Sequence, residues 1–246
     1  LFVAPRGGMS DLITALAAKL VRTQIRLETP VTSLARSTEQ GWQVQAADGS
    51  LESYDAVIVA LPVTRAAQLL ASATPQLAHE LSGIECASSA VVVWGIRLDE
   101  VARPLNAFGC VVPPRSERPV LAISYTSLKF PNRAPDGRVM VRVFLGGALR
   151  PELAELPDES LHEIVREQLR ELLGYAGEPE MTRVVRWPSA MPQYHIGHVA
   201  RLSRINGLLD EQPGLALAGN AYEGVGIPQC VRSGRQAAKR LVDASG

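Results

Sequence analysis

Toward the end of the chain, glycines are spaced so that a main chain could do chemistry, in the string Ala218-Gly219-Asn220-Ala221-Tyr222-Glu223-Gly224-Val225-Gly226-Ile227-Pro228-Gln229-Cys230-Val231-Arg232-Ser233-Gly234-Arg235. A short apolar strand, Leu215 to Ala218, precedes it and a helix running to about Val242 follows, so the glycines sit where a strand hands over to a helix N-terminus. Glycine reaches positive φ and lets a ligand approach the main chain closely. The first turn of a helix adds unpaired N–H groups and about half a positive charge, which together can cradle an anion. Pro228 suits the first helical turn, where its missing N–H is no loss. Val231, Ala238 and Leu241 fall near one face of this helix, and Lys239 and Arg240 favour its C-terminal end. Glycines at such a junction also serve plain packing, so the turn alone does not choose a ligand.

Other reactive groupings are sparse. No Ser-His-Asp set or carboxylate pair is apparent in the sequence. His79 and His162 fall on polar helix faces and read as solvated; His195 and His198 are three apart without a third ligand, which suits a structural role better than a metal site. Cys86, Cys110 and Cys230 are odd in number and widely spaced, as expected in a reducing compartment, and read as small buried hydrophobes.

Lys plus Arg and Asp plus Glu number 25 each in 246 residues, so no net field recruits nucleic acid or an anionic membrane. An apolar content of 46% is ample for one large or two modest domains. No apolar run approaches the ~20 residues that span a bilayer, and no signal peptide is visible. A cytoplasmic location follows as the expectation, with any membrane contact peripheral, on the inner face. The chain opens on Leu1, and no G-x-G-x-x-G follows a strand, so it reads as the C-terminal part of a longer protein.

The elements that must position the turn alternate in texture. Leu12, Leu16 and Leu20, widened by Ile13 and Ala17, predict a helix from about Ser10, with Ser10 as N-cap and Asp11 in the first turn. Ile25–Leu27 and Thr29–Leu34 read as short strands, followed by the alternating Trp42–Ala46 and a turn at Asp48-Gly49. The apolar run Asp55–Pro62 reads as a parallel strand buried on both faces. A short helix over Leu77–Ser82 leads to four strands in series, Ala90–Leu98, Phe108–Val112, Val120–Tyr125 and Arg138–Gly147, which imply an antiparallel sheet. A helix after Pro157 follows, capped by Asp158, striped by Leu161, Val165, Leu169 and Leu172, and stopped at Gly174. Arg183–Trp187 is a return strand, and Val199, Leu202, Ile205 and Leu209 mark another amphipathic helix. The paired Gly146-Gly147 suggest that something approaches that backbone closely.

The string Gly219-Asn220-x-Tyr222-x-Gly224-Val225-Gly226-Ile227-Pro228-x-Cys230-x-x-Ser233-Gly234 resembles the C-terminal flavin-binding signature of the flavin amine oxidase superfamily. Within it the chain is similar to the oxygen-dependent protoporphyrinogen oxidase family. Gly7-Gly8-Met9 before a helix, the valine at Val31, Trp187-Pro188, Pro192-Gln193-Tyr194 and Gly197-His198 extend the resemblance co-linearly over essentially the whole chain.

The resemblance implies a mixed α/β (α+β) fold, with part of an FAD-binding Rossmann-like domain in residues 1–81, an antiparallel-sheet substrate domain in 82–187 and a return to the FAD-binding domain in 188–246. It implies FAD as cofactor, touched by Val31 at the adenine, by Val225, Gly226 and Ile227 at the flavin end, and by Trp187. It also implies a porphyrinogen substrate, protoporphyrinogen IX or coproporphyrinogen III, in an apolar slot lined by Gly109, Val111 and Phe144, with Leu128 a weaker candidate. Dioxygen takes the electrons in successive two-electron oxidations, so no catalytic side chain is required. The upstream half of the same protein is an implied partner, a homodimer and a peripheral membrane contact are left open, and these 246 residues are expected to be inactive alone. An amine oxidase, a carotenoid desaturase, or a flavin-free interaction module of the same fold are the alternatives.

Overall fold

The computed structural model describes residues 3–37 and 41–243; Leu1 lies outside the described residues. Helix α1 (Ser10–Ala17) is followed by strands β1 (Val31–Arg36), β2 (Trp42–Ala46), β3 (Leu51–Tyr54) and β4 (Val57–Val59), then by helices α2 (Val63–Leu70) and α3 (Pro75–Ser82). Strands β5 (Cys86–Arg97), β6 (Gly109–Val111) and β7 (Ala122–Tyr125), the short α4 (Thr126–Lys129) and β8 (Arg138–Gly146) come next. Helix α5 (Asp158–Leu173), strand β9 (Met181–Pro192), helix α6 (His198–Asp210), strand β10 (Leu215–Leu217) and helix α7 (Ile227–Asp243) complete the order.

Two large apolar cores form, and a small third cluster, Ala216, Ala218 and Ala237 with Leu241 against it, seats α7 on β10. In the first, β4 lies parallel to β10, register Val57–Leu215 to Val59–Leu217. Leu34 and Trp42 from the antiparallel β1-β2-β3 sheet, Val63, Ala66 and Leu70 of α2, Leu77 and Leu81 of α3, and Ile205 and Leu209 of α6 pack around this pair. Trp42 is fully buried and donates its indole N–H to Pro213 O at 3.1 Å, which ties β2 to the approach of β10. The parallel strand is not buried on both faces as its apolar run suggested, since Val59 is buried but Ile58 is 39% exposed. Its pairing explains this: among the described residues β4 is bonded along one edge only.

Several local expectations are corrected. Ile25–Leu27 forms no strand, and Leu27 is exposed. Ser10 is the first helical residue of α1 rather than its cap; the preceding Met9 offers no side-chain cap, and Asp11 instead accepts the Gly7 N–H at 3.0 Å. The stripe of α1 meets no core: none of its residues is buried, and Ile13 is 66% exposed. Its leading loop is held by Arg133, which donates to Pro5 O at 3.2 Å. In α6, Val199 projects from the first turn into solvent while Ile205 and Leu209 are buried.

Glu80 cross-links α3 to α6, accepting from Arg204 Nε at 2.7 Å and Arg201 Nη1 at 3.1 Å. The hydrogen bond from Arg204 leads the causes that hold its carboxyl below the usual range. A depressed folded pKa contributes stability that is present above the unfolded value of about 4.3 and is lost as pH falls through the folded one. Glu80→Gln is therefore expected to lower stability by about 1 kcal/mol at neutral pH and to flatten the acid limb of a Tm–pH curve. Superimposable acid limbs for variant and parent would count against this.

The second core lies between α5 and one face of a five-stranded antiparallel sheet of order β6-β7-β8-β5-β9. Val92, Trp94, Ile96, Val139, Val141, Val143 and Leu145 point one way from β5 and β8 and meet Leu161, Val165 and Leu169 of α5, the period of two meeting the period of 3.6. Gly174 ends α5 at φ 66°, as its position suggested. Asp158 does not cap: it is the first helical residue and pairs with Arg186 at 2.6 Å. His162 is half-buried rather than solvated, because the Trp94 indole reaches across the core to donate to its Nδ1 at 2.9 Å and stacks on the ring. Nor are the cysteines uniformly buried; Cys110, on the edge strand β6, is exposed, and Cys86 and Cys230 are half-buried.

Candidate functional site

The site begins where β10 ends. Gly219, at φ 145°, donates its N–H to Ser233 Oγ at 3.1 Å, which pins the strand end to α7. Asn220 Nδ2 donates to Ala190 O at 3.1 Å, so the turn is tied to the last residues of β9. Tyr194 then braces the turn from both ends, its hydroxyl donating to Asn220 O at 2.6 Å and accepting the Gly224 N–H at 2.9 Å. Burial holds the Tyr194 phenol above its ordinary pKa, so it keeps the proton it donates. His198 stacks on Tyr194 with centroids 4.1 Å apart, and its Nε2 lies 3.0 Å from Tyr222 O. A carbonyl can only accept, so this nitrogen carries the proton. His195 meets Glu85 at 3.1 Å on the adjacent surface.

Beyond this brace the backbone offers donors. Gly224 sits at φ 137°, and the first helical bond of α7 runs from Cys230 N to Gly226 O at 3.0 Å. The N–H groups of Val225, Gly226 and Ile227 have no acceptor among the described residues. Val225 and Ile227 are about half exposed, so these donors stand near the surface at the positive end of a 17-residue helix, with the Gln229 side chain folded against Gly224 and Gly226. Such an arrangement fits a flat group presenting acceptor atoms along one edge.

Val31 lies elsewhere. It begins β1, is 44% exposed, and lines a cleft of about 680 Å³ with Pro30, Val57, Val59, Leu61 and Leu69. The cleft follows the edge of β4 that is unpaired among the described residues and reaches the C-terminal end of that strand, the end at which open α/β sheets place their ligands. Val225, Gly226, Ile227 and Trp187 do not line it, so the structure puts Val31 in a separate region from them. The regions adjoin at Leu61, whose carbonyl oxygen lies 3.9 Å from where a Cβ on Gly219 would stand.

The remaining candidates share one surface. Opposed residues of antiparallel strands put their side chains on the same face, and the register runs Val111–Ala122–Phe144–Val91–Val185 across all five strands. Gly109 and Trp187 fall on the same face, Gly109 through Ser124 and Arg142, Trp187 through Ser89 and Gly146. It is the face turned away from α5. Val111 is 83% and Trp187 54% exposed, while Phe144 is half-buried with Arg142 over its ring at 5.2 Å. Leu128 stands apart on α4 and is 37% exposed.

The paired glycines prove to serve the chain itself. Gly146 and Gly147 have φ of 88° and 78°; a Cβ on Gly146 would stand 2.9 Å from Ser88 O, which also accepts the Gly147 N–H at 2.8 Å. What approaches that backbone is β5 rather than a ligand. Tyr194 and His198 carry part of the resemblance, but the brace they make is not readable in the sequence, because their hydrogen-bond partners lie more than twenty residues away in the chain. Arg142 and Arg183 carry a weak signal, the alternation around Phe144 and Val185, which places them on the open face and which a reading for apolar positions misses.

A sequence profile of the family described as flavin containing amine oxidoreductase matches residues 2–242. The coproporphyrinogen III oxidase of Propionibacterium freudenreichii subsp. freudenreichii is 36% identical over 98% of this chain and 45% of its own length. That of Bacillus subtilis is 33% identical over 94% and 48%, and the human protoporphyrinogen oxidase 34% over 95% and 50%. The chain thus spans about half the length of the curated relatives it matches. A crystal structure from Exiguobacterium sp. 255-15, named as a candidate protoporphyrinogen oxidase, superimposes with a TM-score of 0.85 at 28% identity, covering 98% of this chain and 52% of that one. The mixed α/β architecture with its antiparallel sheet, the family profile and the length of the alignments agree, and the chain belongs to the flavin containing amine oxidoreductase family.

Proposed function

We propose that this chain is the C-terminal half of an FAD-dependent porphyrinogen oxidase, carrying the flavin-end turn and the substrate-facing sheet. The observation that carries the reading is the hydrogen bond from Asn220 to Ala190, which joins the donor-rich turn to the strand whose open face bears Trp187. A flavin held at Val225, Gly226 and Ile227 supplies two-electron oxidation, with dioxygen as the acceptor. The residues of this chain hold and orient: three backbone donors and a helix N-terminus favour the negative charge that accumulates at the flavin's pyrimidine edge on reduction. Trp187, Phe144 and Val111 offer an apolar plane to a flat macrocycle, with Gly109 beside them, as a slot for such a ligand requires.

Residues 1–81 and 188–246 make the flavin-binding part in this reading and 82–187 the substrate-binding part. The unpaired edge of β4, the cleft beside it and the exposed stripe of α1 favour docking of an upstream half that completes the sheet and supplies the ADP end of the site, reaching Val31. Among the described residues no helix is long and apolar enough to cross a membrane. The full-length protein is expected to purify with a flavin spectrum and to produce porphyrin fluorescence from a porphyrinogen only when oxygen is present. Residues 1–246 alone are expected to bind FAD weakly and turn over nothing. A full-length protein that lacks flavin, or that oxidises amines but not porphyrinogens, would overturn the assignment.

A further inference from the structure

Four arginines stand on the open face of the five-stranded sheet, and they divide into two pairs. Arg97 and Arg138, opposed at the far end of β5 and β8, are matched by carboxylates: Arg97 by Asp99, with Glu100 at 4.0 Å, and Arg138 by Glu180 at 2.7 Å. Arg142 and Arg183 lie nearer Trp187, both opposite Val93 of β5, one from each side. Among the described residues neither has a carboxylate within ion-pair distance, and Arg142 lies instead over the Phe144 ring at 5.2 Å. Their Cα atoms are two strand spacings apart, about 10 Å. The strand period sets Phe144 and Val185 directly beside them, so two uncompensated guanidinium groups border an apolar surface.

We infer that Arg142 and Arg183 bind peripheral carboxylates of the macrocycle, and so select a porphyrinogen with a propionate on every pyrrole over one that carries vinyl groups on half of them. This rests on the porphyrinogen oxidase reading and deepens it. A guanidinium presents a planar fork of donors matched to a carboxylate, and the apolar floor at Phe144 and Val185 lowers the local dielectric in which the pair forms. A vinyl group in the same place leaves the guanidinium without its partner, so the discrimination comes from the missing ion pair.

The test uses the full-length flavoprotein with coproporphyrinogen III and protoporphyrinogen IX as separate substrates. Arg142→Gln and Arg183→Gln are each expected to raise KM for coproporphyrinogen about tenfold. KM for protoporphyrinogen and the flavin spectrum should change little, which also shows that the variants fold. Arg97→Gln, at the compensated end, should leave both substrates as in the parent. An unchanged KM for coproporphyrinogen, or equal losses with both substrates, overturns the inference and leaves the oxidase reading standing. So does a parent protein that oxidises protoporphyrinogen alone. A parent flavoprotein that oxidises neither porphyrinogen overturns the oxidase reading, and the inference with it.

Discussion

Gly224→Val is expected to strip the flavin from the full-length protein, with flavin affinity falling at least tenfold while the fold is kept. Gly224 sits at φ 137°, where an L side chain is strained, and its Cβ would stand 2.5 Å from Gln229 Cγ and 2.9 Å from Gln229 Cβ. The Cγ of Gln229 can swing away, but its Cβ is fixed to α7, so relief must come from the turn itself. A residue forced into such a conformation costs about 1–3 kcal/mol. The cheapest relaxation moves the Gly224 N–H off Tyr194 Oη and turns the three following donors out of line. Since each factor of ten in affinity is about 1.4 kcal/mol, misaligning two or three donors is enough for the predicted loss.

The ratio of flavin to protein absorbance after gel filtration measures this, with far-UV circular dichroism as the control on folding. Tyr194→Phe removes the hydroxyl that braces the same turn but leaves the glycine conformation free, so it should retain more flavin than Gly224→Val. Full flavin occupancy in Gly224→Val would mean that the donors after Gly224 do not hold the cofactor.

The largest effect on stability is expected from Trp94→Ala, a loss of about 3–5 kcal/mol. Trp94 is 1% exposed in the core beneath α5, and it touches more than apolar neighbours: His162 stacks on it, Tyr175 meets it edge-on at 6.3 Å between centroids, and Arg166 lies over its ring at 5.6 Å. Truncation leaves a cavity and also leaves His162 Nδ1 without the indole N–H it accepts. A domain holds only about 5–15 kcal/mol in total, so this is a large fraction, and Tm should fall by roughly 10–15 °C. Trp94→Phe keeps much of the volume and loses the hydrogen bond, which places it between. Thermal denaturation followed by near-UV circular dichroism reads both, and a shift below about 3 °C for Trp94→Ala would show that the core collapses around the gap.

The turn, its flanking strand and its helix are readable in the sequence because each is local: glycines for positive φ, a proline in the first helical turn, an apolar stripe at 3.6-residue spacing. The strands of the larger sheet are readable for the same reason, from alternation between breaker residues, and so is the end of α5 at Gly174. Helix starts are less legible. Ser10 and Asp158 are good capping residues by type, yet each enters the helix, since Asp11 finds the Gly7 N–H and Arg186 finds Asp158. Amphipathic spacing tells which face of α1 is apolar but not what covers it, and no core in the described residues does.

Long-range placement belongs to the tertiary structure. Strand register alone puts Gly109, Val111, Phe144 and Trp187 on one face, because a shift of a single residue would send any of them to the other. The same register matches Arg138 to Glu180 across the sheet and leaves Arg142 and Arg183 without carboxylates, a distinction that arginine content does not carry. His162 loses its solvent to Trp94, 68 residues away, and the glycine pair at Gly146 meets the neighbouring strand rather than a ligand. Composition and spacing thus determined that a helix N-terminus with free donors exists. Only folding decided that Asn220 would reach Ala190 and set that turn beside the open sheet, since a hydrogen bond between residues 30 apart depends on how the strands pair and not on their local preferences.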